Sequence, residues 1–233
     1  MPPPSQLSPV SPPVTAPLPR GRGRPPVDSR ENRLAMLFDG AYALLQAGEY
    51  SNFTIEAVAK SAGMSRKTVY TLVASKEELI HGLILREGAK LGGLLVDDTG
   101  ARHAPVDQLR SYLAMWARLA LGPVGLWIYL IAIAQRDSSP EIARSYEGQG
   151  MAYAVAVLRS WLEQPAVRAV FTIDDTLQAI DLVNAVLVAQ PLRRAALGLA
   201  GPMGDADIDA LVATALDVFV QRYGQDRTVR ESR

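Results

Sequence analysis

The sequence predicts an all-α protein. Its 233 residues are 48% hydrophobic, but only 6% of them are aromatic. Alanine, leucine and valine carry most of the apolar content, and this mixture favours helices over sheets. Apolar residues recur every three or four positions, and no segment alternates as a strand does. The first long face of this kind consists of Leu34, Leu37, Phe38, Ala41, Leu44 and Leu45.

The composition excludes several classes of site. The chain has no cysteine and only two histidines, His81 and His103. A disulfide scaffold, a thiolate zinc site, a cysteine nucleophile and a three-histidine metal site are therefore excluded. The sequence also contains no glycine-rich phosphate loop and no Ser-His-Asp set, so it predicts no metal, no cofactor and no enzyme.

The first 27 residues are expected to form a disordered arm. They hold ten of the sixteen prolines and few large apolar side chains, so burial cannot offset the entropy cost of ordering them. Arg22 and Arg24 lie in an Arg-Gly-Arg-Pro core that resembles an AT-hook, whose arginines enter the minor groove of A·T-rich DNA. The alternative is a basic tail that only keeps the chain soluble.

No apolar signal segment stands out near the N-terminus. The longest apolar stretch, residues 119–134, has 16 residues, whereas a membrane-spanning helix needs ~20 apolar residues. We therefore expect a soluble, cytoplasmic protein without a membrane partner.

Charge is unevenly distributed, although the net charge is zero. Residues 1–76 carry nine basic and five acidic side chains, and the rest of the chain has the opposite excess. A basic N-terminal third joined to an acidic remainder indicates a polyanionic partner for the first part only.

The segment from residue 53 to residue 79 predicts a helix-turn-helix unit. Thr54 can cap a short helix that ends at Gly63, and Ser65 can cap the next one. The Ala-Gly-Met-Ser sequence between them suits a tight turn. In such units the second helix lies in the major groove of DNA. Val69 should face inward, whereas the side chains expected to project outward are those of Arg66, Lys67, Thr68 and Thr71.

These residues carry a family resemblance. Residues 54–70 (TIEAVAKSAGMSRKTVY) and 75–79 (SKEEL) resemble the DNA-binding domain of the TetR family of repressors over about residues 30–80. The resemblance implies that a dimer binds a palindromic, double-stranded DNA operator. Members of the family often have an aromatic residue or histidine shortly after the tyrosine, where this chain has Leu72 and Val73, so a polar DNA contact is missing at that point.

The resemblance also implies individual roles. Arg66, Lys67 and Thr68 would meet base edges. Phosphate contacts would come from the Thr54 hydroxyl, the Tyr70 hydroxyl and the Lys76 ammonium group. The complete set of expected DNA-binding residues is Arg22, Arg24, Thr54, Ser65, Arg66, Lys67, Thr68, Tyr70, Thr71 and Lys76. Taken one at a time, these side chains would be ordinary surface charges or core residues, and only the combination favours DNA.

Four divisions of the chain are expected. They are a Pro/Arg-rich arm (1–27), a helix-turn-helix domain (28–74), a helical ligand-binding and dimerisation domain (75–226) and a flexible tail (227–233). Helix signals in the third division cover about residues 106–121, 126–136, 138–162, 174–190 and 206–223. The fourth helix of the chain should open at Ser75 with a capping box that includes Glu78.

In proteins that resemble this one, the last two long helices pair between subunits. Here both carry apolar residues on more than one face, which suits a homodimer; these are Val183, Val186, Leu187, Val188, Leu216, Val218, Phe219 and Val220. Candidates for the lining of an effector pocket are Leu83, Trp116, Trp127, Met151 and Tyr153, although large side chains at helical spacing are more often ordinary core.

The sequence therefore predicts a TetR-like repressor released from DNA by a small, mainly apolar ligand. Two alternatives remain open at this point. One is an architectural protein that binds A·T-rich DNA through the arginine arm, and the other, less favoured, is an α-helical enzyme.

Overall fold

The computed structural model describes residues 29–95 and 104–225. Within those ranges every regular element is helical, and the single β-bridge joins Phe171 to Gly224. The prediction of an all-α protein is confirmed.

Three helices form an N-terminal head, with a single 3₁₀ turn at Tyr50–Asn52. They are α1 (Arg30–Gln46), α2 (Ile55–Ser61) and α3 (Arg66–Leu72). The caps follow the predicted pattern: the hydroxyl of Thr54 accepts from the amide of Ala57 at 3.1 Å, and that of Ser65 accepts from the amide of Thr68 at 3.1 Å. These bonds satisfy amides that a helix leaves without partners at its N-terminus.

Glycines allow the head to close tightly. Gly63 has φ +65° in the turn between α2 and α3, a conformation that side chains with a Cβ rarely adopt. Gly40 of α1 lies against the turn, and a Cβ there would approach the backbone nitrogen of Ala62 to 2.8 Å.

Helix α4 (Lys76–Gly92) joins the head to the rest of the protein. Ser75 caps it as predicted, since its hydroxyl accepts from the amide of Glu78 at 3.1 Å. The second half of the expected capping box differs, because the Glu78 carboxylate accepts from Ala74 at 2.5 Å rather than from Ser75. Helix α4 packs against α1 and also against α5, α7 and α8.

Two long helices follow the undescribed residues 96–103. They are α5 (Pro105–Leu121) and α6 (Pro123–Ala134). Helix α6 begins three residues before the predicted start at 126, because Pro123 occupies its first turn, where no amide partner is needed.

The next predicted helix is present but contains a wide turn. Helix α7 (Pro140–Ser145) continues through a π-helical turn (Tyr146–Met151) into α8 (Ala152–Leu162). A short helix that the sequence pattern did not predict, α9 (Pro165–Arg168), comes next. It is a single turn, too short to produce a periodic pattern.

The last two segments differ in how well their ends were predicted. Helix α10 (Thr176–Asn184) continues through a second π-helical turn (Ala185–Ala189) into α11 (Gln190–Ala196), so the prediction that this helix ends at Pro191 is wrong. A π turn before a proline widens the backbone where the ring would otherwise meet the preceding turn. Helix α12 (Asp205–Tyr223) matches its prediction closely.

The buried apolar side chains form two clusters that share α4. One cluster fills the head and also takes in Val124, Trp127, Ile128 and Ala132 of α6 and Ile142 of α7. The other fills the space between α5, α8, α10, α11 and α12. Helix α6 therefore completes the core of the head, where the rings of Phe53 and Trp127 lie 4.6 Å apart.

Along residues 29–95 and 104–225, no helix taken singly has the length and apolar character to cross a membrane, although the bent pair α5 and α6 would satisfy both criteria together.

Candidate nucleic-acid interface and internal cavity

Helix α3 presents one buried side and one exposed side. Val69 and Leu72 are buried in the head, as Val69 was expected to be. Arg66, Lys67 and Thr71 are exposed, and Thr68 is half-buried. The helix therefore offers its N-terminal polar residues to solvent while its apolar side holds it on α1 and α2.

Hydrogen bonds hold the small polar residues at the start of α3. The hydroxyls of Ser65 and Thr68 lie 2.9 Å apart, and the hydroxyl of Thr71 donates to the carbonyl of Thr68 at 2.6 Å. These contacts fix the side-chain directions before any partner binds, which lowers the entropy cost of recognition.

Arg66 has a partner within the head. Its guanidinium lies 2.8 Å from a carboxylate oxygen of Glu56 on α2, and its side chain is 63% exposed. This pair was not predicted from the sequence, because ten residues and a turn separate the two charges. Lys67 makes no ion pair with any of the residues that the structure describes.

The expected phosphate-binding residues lie on α3 and on the elements beside it. Tyr70 is 50% exposed, although an aromatic residue is usually buried, so its hydroxyl is accessible. The Lys76 ammonium group lies 5.5 Å from the ring centre of Phe53, at the first turn of α4. Thr54 is exposed at the start of α2. Arg22 and Arg24, the remainder of the arm (1–27), and the predicted tail (227–233) lie outside the described residues.

A cavity of about 70 Å³ lies beside α4, between α5, α6 and α8. Its walls are mostly apolar, and they include Trp116 and Met151, two of the five residues expected to line a pocket. The other lining residues are Ile84, Glu87, Gly88, Leu91, Leu119, Ala120, Gly125, Ile128, Tyr146, Gly150 and Ala154.

The other three expected lining residues lie elsewhere. Leu83 and Trp127 are buried in the cluster that fills the head. Tyr153 is 38% exposed and faces open grooves on the other side of α8. Helical spacing alone could not separate these positions, because each of them lies on an apolar side of its helix.

Polar groups that were not predicted from the sequence connect this cavity to the head. Glu87 lines the cavity and contacts Lys90, whose ammonium group lies 5.1 Å from the ring centre of Tyr42 on α1. Glu87 follows Ile80 and Ile84 on the buried side of α4. A charged residue at a position where the helical periodicity predicts an apolar one could therefore have been recognised from the sequence.

A second polar connection joins α4 to the π-helical turn. His81 Nδ1 lies 2.8 Å from the hydroxyl of Ser145, which itself donates to Gln149 at 3.1 Å. The Ser145 hydroxyl therefore contacts α4 on one side and the π-helical turn on the other. Tyr146 follows Ser145, and burial raises the pKa of its phenol well above the ordinary value.

Family models match both halves of the chain. Residues 37–83 match the N-terminal model of the bacterial regulatory proteins of the TetR family, and residues 107–225 match the C-terminal domain of AefR-like transcriptional repressors. A curated relative from Mycobacterium tuberculosis, the HTH-type transcriptional regulator AlkX, is 25% identical over 206 residues, which are 81% of this chain and 85% of that protein.

Solved structures share the fold. A TetR-family transcriptional regulator from Mesorhizobium loti superposes with a TM-score of 0.67 at 18% identity, covering 84% of this chain and 98% of that one. FadR from Bacillus subtilis, solved in complex with stearoyl-CoA, superposes with a TM-score of 0.59 at 15% identity, covering 80% of this chain and 97% of that one.

Proposed function

Because this chain belongs to the TetR family of transcriptional regulators, we propose that it represses transcription by binding a palindromic operator as a homodimer and that a small, mainly apolar ligand releases it. The family consists of DNA-binding regulators rather than enzymes. The match of residues 107–225 to the C-terminal domain of a repressor supports repression as the direction of control.

The observation that carries the proposal is the exposed N-terminal end of α3. Arg66 and Lys67 project from a helix whose other side is anchored by Val69 and Leu72. A helix of this kind enters the major groove with its first residues on base edges. Thr54 and Lys76 on neighbouring elements, together with Tyr70 of α3 itself, supply contacts to phosphates, which set the register without reading sequence.

A homodimer is proposed through α10, the second π-helical turn and α12. Most of the apolar residues that first indicated a dimer are buried within the subunit, namely Val183, Leu187, Val188, Leu216, Phe219 and Val220. The exposed sides of the same helices still carry apolar and small residues; these are Leu182, Ala185, Ala189, Ala210, Ala213 and Val218. A dimer that binds a palindrome needs its two α3 helices ~34–36 Å apart, the repeat of the DNA groove, and we propose that this pairing supplies that spacing.

Release by a ligand is proposed to act through α4. This helix lines the cavity with Ile84, Glu87 and Leu91, and it begins beside α3 with Lys76. A ligand that binds more tightly to a DNA-incompetent arrangement shifts the population toward it. Ile128 of α6 lies both in the cavity wall and in the core of the head, which supplies a second route. We propose the cytoplasm as the location, since the operator lies there.

The experiment that tests this function begins with the DNA itself. Fragments retained by the purified full-length chain are sequenced, and the enriched site is then used to measure affinity at several salt concentrations. We expect a palindrome with half-sites about one helical turn apart, or a multiple of it. Enrichment of A·T-rich DNA without a palindrome would contradict the proposal and favour the arginine arm acting alone.

Two variants test how the contacts are divided. Arg66→Ala should relax the preference for particular bases, whereas Lys76→Ala should weaken binding to every sequence and reduce the salt slope by about one. Equal effects of both variants on all sequences would contradict this division. Arg110→Ala is a control, since it removes a positive charge from an exposed position on α5, outside the head.

A further inference from the structure

Glu87 is a buried carboxylate with one oxygen that lacks a donor. The residue is only 7% exposed, and its Oε2 atom contacts the ammonium group of Lys90. Its Oε1 atom is inaccessible and makes no hydrogen bond with any of the described residues; the Nε atom of Arg86 lies 4.0 Å away. A buried acceptor left without a donor costs about 1–3 kcal/mol, more when it is charged, so such a group requires an explanation.

Glu87 lacks a donor rather than a counter-charge. Lys90 already contacts the carboxylate, and Arg86 lies near its other oxygen. Charge is therefore largely compensated, while one hydrogen-bonding position on Oε1 is open. Glu87 lines the cavity, and a rotation of its carboxylate would bring Oε1 to an N–H or O–H group of a bound molecule, whether or not the molecule is charged.

The remaining walls specify the body of such a molecule. Trp116, Leu119, Ile128 and Met151 present apolar surface around Glu87. At about 70 Å³ the cavity is smaller than the ~300–1,000 Å³ of pockets that hold drug-sized ligands. A cavity of about 150 Å³ holds benzene, so a molecule with a single ring is the size that the site takes, and the flexible thioether of Met151 is the wall that yields to it.

We infer that the effector is a small apolar molecule, built on a single ring, that donates an N–H or O–H hydrogen bond to Glu87 Oε1. This inference rests on the proposed function, since it assigns the chemistry of the effector at the cavity described above. Ionised carboxylates are expected to bind weakly, because they carry no donor and would lie against the Glu87 carboxylate.

The same carboxylate is connected to the head. Lys90 lies between Glu87 and the ring of Tyr42, and Arg86 donates both to the Asp39 carboxylate and, at 3.2 Å, to the Ala35 carbonyl. Asp39, Ala35 and Tyr42 all belong to α1. A donor that binds Oε1 acts on the same carboxylate that Lys90 contacts through Oε2, so ligand binding alters contacts between α4 and the head.

Four compounds of similar shape test the inference on the full-length protein. Benzyl alcohol and benzylamine carry a neutral and a charged donor, ethylbenzene carries none, and benzoate is an anion. Dissociation constants are measured by calorimetry. We expect both donors to bind at least ~10-fold more tightly than ethylbenzene, the size of effect that a hydrogen bond to a charged group gives, and benzoate to bind more weakly than ethylbenzene.

Variants assign the preference to the carboxylate. Glu87→Leu should abolish the preference for benzyl alcohol over ethylbenzene, while Glu87→Gln, which keeps an acceptor oxygen and the side-chain size, should retain part of it and lose the preference for benzylamine. Glu141→Gln, a change at an exposed carboxylate on α7, should leave all four constants unchanged. Circular dichroism checks that each variant is folded.

Three results would overturn the inference: equal binding of ethylbenzene and benzyl alcohol, a preference that survives in both Glu87 variants, or no binding of any compound. Operator affinity measured without compound tests the regulator itself and is independent of these outcomes. Tight, Glu87-dependent binding of benzyl alcohol that leaves operator affinity unchanged would support the inference and contradict release by a ligand at this cavity.

Discussion

Arg66, the first residue of α3, lies 2.8 Å from Glu56 of α2. Arg66, which is expected to contact a base edge, is thus paired with a carboxylate of the same head in the absence of DNA. Both side chains are more than half exposed, so the pair is hydrated and weak, on the order of 0–1 kcal/mol. DNA binding has to break it, and the pair therefore competes with the operator.

Removing the competitor should strengthen DNA binding. Glu56→Gln is expected to raise operator affinity by up to about fivefold at low salt, because about 1 kcal/mol of ion pairing no longer opposes the guanidinium and a negative charge leaves the DNA-facing head. Fluorescence anisotropy with labelled operator measures the change. Glu49→Gln, which removes the same charge without breaking an ion pair seen in the described structure, is the matched control. A rise of equal size in both variants would contradict the role given to the pair.

The turn between α2 and α3 should tolerate only glycine at its left-handed position. Gly63 has φ +65°, and a Cβ there would meet no atom within 4 Å, so the cost of Gly63→Ala is one of backbone conformation alone. We expect the free energy of unfolding to fall by about 1 kcal/mol and the melting temperature to fall by about 2–4 °C at fixed protein concentration.

Gly93→Ala is the control for that prediction. Gly93 caps α4 with φ −81° and likewise has open space around its Cβ position. Calorimetry should therefore find no decrease in the melting temperature of Gly93→Ala. Equal destabilisation of both variants would mean that the turn does not depend on its left-handed residue.

Local signals in the sequence predicted the head well, because each signal acts within a few residues. The hydroxyls of Thr54, Ser65 and Ser75 cap the helices that follow them, and Gly63 makes the turn. These devices depend on hydrogen bonds to amides three residues away, so the sequence alone determines them.

Features that depend on packing were not predictable in the same way. Leu83, Trp116 and Trp127 each lie at an apolar position in the periodicity of their own helix, but only Trp116 lines the cavity. Leu83 and Trp127 lie on the sides of α4 and α6 that pack into the head. The two π-helical turns likewise have no residue signature of their own. Glu87 was the exception: a carboxylate in phase with Ile80, Ile84 and Leu91 on a buried stripe is visible in the sequence, and its partners are visible only in the fold.

Alkaline pH should destabilise the protein partly through Tyr112. Burial raises the pKa of this phenol far above the ordinary value near 10, and its hydroxyl donates to the Ala154 carbonyl at 2.6 Å. The folded state therefore holds this proton more tightly than the unfolded state. The stabilisation is complete below pH 10 and decreases as the pH rises above it, because only the unfolded state then loses the proton.

Tyr112→Phe should change this pH dependence. At pH 8 the variant loses about 1 kcal/mol with the hydrogen bond, but its free energy of unfolding should fall less steeply between pH 9 and pH 11 than that of the parent protein. Urea titrations at several pH values measure both effects. Tyr70→Phe removes an exposed hydroxyl from α3 and should leave the slope unchanged; identical slopes for all three proteins would refute the prediction.

The proposed dimer depends on the exposed side of α12. Val218 is 38% exposed there, whereas its neighbour Phe219 is fully buried. Val218→Glu should convert the dimer to monomer at micromolar concentration, because a charge would be buried in an apolar interface, and operator binding should fall with it. Light scattering after gel filtration measures the mass. Met36→Glu places the same charge on an exposed position of α1 and should leave the mass unchanged.

The hydrogen bonds of Ser145 should couple α4 to the cavity wall. Ser145 contacts His81 of α4 on one side and Gln149 of the π-helical turn on the other, and that turn places Tyr146, Gly150 and Met151 in the wall. Ser145→Ala removes both bonds at once. We expect the free energy of unfolding to fall by about 1–2 kcal/mol. We also expect faster amide hydrogen exchange in residues 76–92 and 146–151, which mass spectrometry detects. Ser160→Ala, at an exposed position on α8, should change neither. Faster exchange confined to the π turn, with α4 unchanged, would show that the two segments move independently and that this serine does not transmit the state of the cavity to the head.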